Sequence, residues 1–205
     1  SVENYLGMGR NFALHLRALN ALPKGQVMKW KASQEGMQTM LHHYPPEAGV
    51  LALWGSSIFR LWDRAPAHFP EHSVTNLAFG GARSWEALHY ANETLFPMQP
   101  STILYYCGSN DVNAGEDAAG IAERFRLFSE LTRDRLPDTD IFFGAINRSP
   151  EKKERWAVVD KANQLVASYC ETQDGRTFVN LNQVLEADDG STRQDMFFPA
   201  PLPLP

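Results

Sequence analysis

The segment Val50-Leu-Ala-Leu-Trp54-Gly55-Ser56-Ser57-Ile58 joins an apolar run to a glycine and two serines. An apolar run of this length, bounded by turn residues, predicts a strand buried on both faces, as in a parallel sheet. The residues that follow, Phe59 to Trp62, predict a short helix. A serine at such a strand-to-helix turn has an exposed hydroxyl, and its backbone N–H lies at the start of a helix. The segment therefore predicts an α/β fold and one candidate reactive side chain.

Outward from this segment, apolar runs alternate with amphipathic stretches of helical period. The predicted strands are Val50–Trp54, Val74–Leu77, Thr102–Cys107, Ile141–Ala145 and Thr177–Leu181. Helices are predicted from an N-cap at Ser84, over Ala118–Arg135 and over Glu151–Gln173. Repeated strand–helix alternation predicts parallel pairing with right-handed crossovers and helices on both faces. We therefore expect a three-layer α/β/α domain with a five-stranded parallel sheet in the flavodoxin-like order 2-1-3-4-5.

The apolar pattern divides the chain into three parts. Residues 1–45 predict a helical leader packed on the domain, with helices over Arg10–Leu22 and Met28–Leu41. Residues 46–198 contain the strand–helix alternation and form the domain itself. Residues 199–205 have proline at alternate positions, which prevents a helix, so they predict an irregular tail that lies away from the site.

Composition narrows the class of protein. The 205 residues are 43% hydrophobic with a net charge of −5, and the basic residues are scattered, so one core is expected and nucleic acid is not an expected partner. No apolar run approaches the ~20 residues that a membrane span needs. Cys107 and Cys170 predict core residues, with neither a disulfide framework nor a metal site. No metal or cofactor is expected.

Two further turns follow predicted strands. Phe79-Gly80-Gly81-Ala82 follows the second strand, and Gly108-Ser109-Asn110-Asp111 follows the third. The carboxyl ends of parallel strands meet at one edge, and ligands bind there near the point where strand order reverses. A bare glycine N–H and an asparagine amide can both donate to a developing oxyanion. Each turn alone is also typical of ordinary loops and helix starts, so the prediction depends on their convergence with the serine turn.

Taken together, the three turns resemble those of the SGNH (GDSL-like) hydrolases, especially the subgroup with Gly-Ser-Ser in place of Gly-Asp-Ser. The resemblance extends from about Trp30 to Phe198 and includes Arg60-Leu-Trp62 and the Asn147-Arg-Ser-Pro150 loop. It implies a serine ester hydrolase, an acyl or acetyl esterase or a lipase-like enzyme, that acts on a small ester through an acyl-serine intermediate.

The resemblance also assigns roles to residues. Ser57 is the implied nucleophile, and the oxyanion hole consists of the Ser57 N–H, Gly81 and Asn110. We expect these groups to face one solvent-accessible depression.

The last block of the family pattern is altered in this sequence. Ala200 and Pro203 stand where the family has its catalytic aspartate and histidine. Neither side chain can accept a proton, so the resemblance implies a hydrolase crippled by the loss of its base. All six histidines lie within the first 89 residues. His89 is the nearest alternative base, although its place in the pattern favours a structural role.

Two functions therefore stay open at this point. One is an ester hydrolase with an altered end, and the alternative is a non-catalytic pseudoenzyme or small-ligand-binding module that keeps the pocket. The oligomeric state is not predicted. A cytoplasmic location is favoured, with export left open because the chain begins at Ser1 and a signal segment could have been removed.

Overall fold

Strands and helices alternate along the chain. The computed structural model describes residues 13, 14, 17, 30–43, 48–187 and 191–196. The strands are β1 Leu51–Gly55, β2 Val74–Asn76, β3 Thr102–Tyr106, β4 Asp140–Gly144 and β5 Arg176–Val179. The α-helices are α1 Lys31–His43, α2 Ser57–Arg60, α3 Ala65–His68, α4 Ser84–Tyr90, α5 Ser109–Asn113, α6 Ala118–Arg135, α7 Trp156–Cys170 and α8 Asn182–Leu185. A π-helical turn, Ala91–Leu95, and three 3₁₀ turns, Phe96–Met98, Pro150–Arg155 and Gln194–Met196, complete the described elements.

The five strands form one parallel sheet in the order β2-β1-β3-β4-β5. This confirms the predicted fold class and strand order. Because the order reverses between β1 and β3, the turns that follow these two strands lie beside each other. The register is in step here, since Gly55 at the end of β1 pairs with Tyr106 at the end of β3.

Neighbouring residues of β3 serve the two faces of the sheet, as the alternation of side chains along a strand requires. On one face the Tyr105 ring packs 4.8 Å from Phe128 and 5.5 Å from Phe143, among the helices that include α6 and α7. On the other face Tyr106 packs 5.8 Å from Phe59 of α2. Both tyrosines are fully buried, so the sheet is covered on both sides at β3.

The described part of the leader packs on the larger core. In α1, Gln34 is fully buried and its Oε1 accepts a hydrogen bond of 2.8 Å from the Thr94 hydroxyl. Trp30 lies with its ring 6.1 Å from that of Phe79, directly before the glycine turn. The predicted helix over 10–22 lies almost wholly outside the described residues, and the tail 199–205 lies entirely outside them. The three-part division of the chain stays a prediction.

Two predicted helix starts are wrong. Ser84 is the first residue of α4 and Arg83 is its N-cap, because the Ser84 N–H and hydroxyl both donate to the buried Asp111 carboxylate. The helix expected from Glu151 begins instead at Trp156, after the 3₁₀ turn Pro150–Arg155. Lys152 has non-helical angles there, with φ −112° and ψ 20°.

Candidate active site

The serine turn is shaped by the close approach of β1 and β3. Gly55 has a φ of 134°, and a Cβ at this position would lie 2.0 Å from the carbonyl oxygen of Tyr106. The Ser56 N–H donates to the same oxygen at 2.9 Å. Only glycine fits both the positive φ and the contact. The chain therefore leaves β1 sharply, and Ser57 begins α2 at the sheet edge with a half-buried side chain.

Asn76, the last residue of β2, ties the serine turn to the glycine turn. Its Nδ2 donates to the Phe59 carbonyl at 2.7 Å, and its Oδ1 accepts from the Ala78 N–H at 3.1 Å. Beyond it, Gly81 has a φ of 72°. A Cβ at Gly80 would lie 2.8 Å from Nε of Arg60, so this glycine leaves room for the guanidinium beside Ser57.

Asn110 and Asp111 hold the third turn against the second. The Asn110 Nδ2 donates to the Ala82 carbonyl at 2.9 Å. The Asp111 carboxylate accepts the Ser84 hydroxyl at 2.6 Å and lies 3.4 Å from Arg124. Burial raises the pKa of Asp111, while the bonds from Ser84 and the Arg124 charge oppose that rise. The Asp111 carboxylate therefore ties the start of α5 to the start of α4.

Ser57 lines two clefts. The first, here the Gly81 cleft, has a volume of about 820 Å³ and is lined by Ser57, Arg60, Asn76, Gly80, Gly81, Trp30 and Met37 among others. The second, the Lys152 cleft, has a volume of about 510 Å³ and is lined by Ser57, Tyr106, Ser109, Asn110, Asn147, Lys152 and Met196 among others. Gly81 lines the first cleft and Asn110 the second, and Ser57 is common to both. That all three groups face one depression stays a prediction.

Several polar side chains line the Lys152 cleft together with Ser57. The Lys152 amino group contacts the Ser109 hydroxyl and lies 3.4 Å from the Ser109 carbonyl oxygen. The Tyr106 hydroxyl hydrogen-bonds Ser109 and accepts from the Asn147 N–H at 3.4 Å. Burial lowers the pKa of Lys152, and the neighbouring Glu151 carboxylate opposes this. Burial raises the pKa of Tyr106 to about 12.

The sequence did not single out Lys152. It is half of a Lys152-Lys153 pair, on a helix expected to begin at Glu151. Nothing in that pair distinguishes the lysine that lines the cleft from its exposed neighbour Lys153. Both lie in the 3₁₀ turn Pro150–Arg155, which the sequence pattern did not predict.

Comparison with a family model decides the class of protein. Residues 48–200 match the model of the GDSL-like Lipase/Acylhydrolase family. The chain belongs to this family. The match covers the sheet, the serine turn and the residues of both clefts, except those that α1 and Trp30 contribute. This GDSL-like chain is therefore a member of a hydrolase family.

Solved structures with the same fold are distant in sequence. One is a protein from Streptococcus pneumonia that is provisionally named a platelet activating factor. It has 16% identity and a TM-score of 0.70, and the match covers 91% of this chain and 89% of that protein. A GDSL-like lipase from Bacteroides thetaiotaomicron has 15% identity and a TM-score of 0.64, covering 78% and 84%. A lipolytic G-D-S-L family protein from Veillonella parvula has 18% identity and a TM-score of 0.58, covering 67% and 80%. At these identities the likeness concerns the fold. A search of curated proteins found no match.

The histidines in the described residues, which are His42, His43, His68, His72 and His89, line neither cleft. His89 is half-buried with its ring 4.8 Å from that of Tyr90, and burial lowers its pKa while the Glu93 carboxylate opposes this. The Nδ1 of His68 accepts a 2.8 Å hydrogen bond from Nε1 of Trp62. His15 is outside the described residues.

No group of three His, Cys, Asp or Glu side chains among the described residues is arranged to hold a metal ion. No helix in the described part of the chain is both long and apolar enough to cross a membrane. Cys107 and Cys170 are free and buried.

Proposed function

We propose that this GDSL-like protein is a carboxylic ester hydrolase that forms an acyl intermediate on Ser57. The observation that carries the proposal is the position of Ser57, half-buried at the carboxyl edge of the sheet and lining two clefts at once. An ester that spans both clefts would present its carbonyl carbon to the Ser57 hydroxyl. Its acyl and alcohol parts would then occupy separate clefts.

The proposed oxyanion donors are the Ser57 N–H, the Gly81 N–H and the Asn110 side chain. Asn110 has two N–H donors on its amide, and its 2.9 Å bond to the Ala82 carbonyl uses one of them. The second is the proposed donor to the oxyanion. This fixed amide is preorganised, and one such donor is typically worth about 10²–10³ in rate.

The two clefts favour a small ester as substrate. Their volumes of about 510 and 820 Å³ suit molecules of ordinary metabolite size. Ile58, Leu61 and Met196 put exposed apolar surface on the rim of the Lys152 cleft, which suits the acyl group. Arg60 lies beside the glycines of the Gly81 cleft, which suits a polar alcohol part.

Turnover is proposed to be low compared with an enzyme that has a complete Ser-His-Asp triad. Ala200 and Pro203 supply no proton acceptor. Loss of a triad histidine can remove roughly 10⁶-fold in rate, while an oxyanion hole and binding still leave ~10³–10⁴-fold over water. Such a rate is measurable with an activated ester.

The alternative is a binding module that keeps the pocket without turnover. The absence of a described histidine from both clefts favours it. A panel of short-chain nitrophenyl esters and acetylated sugars separates the two functions. The hydrolase predicts product formation that Ser57→Ala abolishes and that Ser73→Ala, which removes an exposed hydroxyl outside the clefts, leaves unchanged. Ligand binding by calorimetry with no product from any ester supports the module.

A further inference from the structure

We propose that Lys152 is the general base for Ser57, held in position by the hydroxyl of Ser109. This inference rests on the proposed acyl-Ser57 chemistry and assigns the residue that accepts the proton. Ser57 and Lys152 line the same cleft, and the Lys152 amino group is bound at the hydroxyl of Ser109 on the same wall.

The geometry that joins these residues is built into the sheet. Ser57 lies two residues after Gly55, and Ser109 lies three residues after Tyr106, the residue that Gly55 pairs with across β1 and β3. The bond of 2.9 Å from the Ser56 N–H to the Tyr106 carbonyl fixes the two turns side by side. Lys152 reaches Ser109 from the 3₁₀ turn that precedes α7, and Ser57 lines the same cleft.

The hydrogen bonds around Ser109 hold the Lys152 amino group in the cleft. The Lys152 nitrogen donates to the Ser109 hydroxyl and, at 3.4 Å, to the Ser109 carbonyl oxygen. The fully buried Tyr106 hydroxyl also hydrogen-bonds Ser109. A neutral lysine keeps two N–H donors for these bonds and has one lone pair left to accept a proton.

The proton balance follows the ordinary course of acyl transfer. As the Ser57 oxygen bonds to the ester carbonyl carbon, its proton passes to the Lys152 nitrogen. The tetrahedral intermediate then breaks its bond to the alcohol, and Lys152 returns the proton to the leaving oxygen. In the second half, the oxygen of a water molecule adds to the acyl carbon while its proton passes to Lys152. Lys152 then gives this proton to the Ser57 oxygen as the bond between that oxygen and the acyl carbon breaks, and the acid is released.

Charged groups around Lys152 allow this role. Burial lowers its pKa from the ordinary 10.5, which increases the neutral fraction, and the adjacent Glu151 carboxylate opposes this. From β3 the neighbouring phenol of Tyr106 stays protonated, since its pKa is about 12. From the 3₁₀ turn Gln194–Met196, Asp195 is paired with Arg193 at 2.9 Å. The facing residues Ser57, Asn110 and Asn147 carry no charge.

Three variants test the role with a nitrophenyl acetate assay. Lys152→Met should lower kcat/KM by about 10²–10⁴-fold, the usual contribution of a positioned base. Lys152→Arg keeps the positive charge and donors toward Ser109 but cannot be deprotonated, so it should be as slow as Lys152→Met. Lys153→Met removes the same charge from the exposed neighbour and should stay within twofold of the unmodified chain.

The pH profile supplies a readout that a structural lysine would not move. For the unmodified chain, kcat/KM should rise with pH and level off below pH 10.5. Lys152→His should shift this rise to lower pH. Full activity in Lys152→Arg or Lys152→Met, with activity lost in Ser57→Ala, overturns the role of Lys152 and leaves the proposed function standing. Equal activity in Ser57→Ala and the unmodified chain overturns the proposed function itself.

Discussion

Asn110→Ala should lower kcat for ester hydrolysis by about 10²–10³-fold, equivalent to about 3–4 kcal/mol of transition-state stabilisation. Its effect on folding should be smaller. Asn110 makes one side-chain hydrogen bond, of 2.9 Å to the Ala82 carbonyl, and such a bond contributes about 1 kcal/mol. The Ala82 carbonyl keeps the Cys107 thiol at 3.4 Å, so it is not left without a donor. The variant should therefore remain folded.

The assay combines kcat for nitrophenyl acetate at 25 °C with urea unfolding of the same samples. Thr139→Val is the matched control, because it removes one buried side-chain bond of 2.6 Å, to the Pro100 carbonyl, just before β4 at the opposite edge of the sheet. It should cost a similar amount of stability and leave kcat unchanged. If Asn110→Ala loses stability to the same extent yet keeps kcat within threefold, its amide only ties two turns together and the oxyanion argument is refuted.

Two further changes test the fold around the site. Gly55→Ala should destabilise the protein by at least about 3 kcal/mol, because its Cβ would lie 2.0 Å from the Tyr106 carbonyl oxygen at a φ of 134°; an unchanged urea midpoint would contradict this. The raised pKa of Tyr106, about 12 against 10 when unfolded, contributes stability that is complete below pH 10 and is lost as pH rises toward 12. The loss is up to about 3 kcal/mol. Between pH 9 and 12, the free energy of unfolding of Tyr106→Phe should fall less than that of the unmodified chain. Equal falls for the two proteins, measured by urea unfolding, would count against the burial argument.

The fold was predictable because its signals are local and repeated. Buried parallel strands produce continuous apolar runs, and amphipathic helices between them leave few topologies. Helix α6 begins and ends where the pattern placed it, at Ala118 and Arg135. The Ser84 cap was mispredicted because its hydroxyl binds Asp111, 27 residues away. A contact at that separation has no local signature.

The site was predictable only in part, for the same reason. The glycines and serines at the strand ends identified Ser57, Gly81 and Asn110, whose roles stay proposals. The division into two clefts depends on where side chains such as Arg60 and Asn110 are held. The approach of Lys152 to Ser109 depends on a 3₁₀ turn whose direction the amphipathic pattern does not encode.

The most direct measurement of the central claim is the mass of the acylated protein. The chain is mixed with an excess of nitrophenyl acetate, quenched in acid within the first turnover and digested for mass spectrometry. The account predicts one acetyl group, carried by Ser57 and absent from the Ser57→Ala variant. Acetylation of Ser109 or Lys152 in place of Ser57, or ester turnover with no acyl group on Ser57, would contradict it.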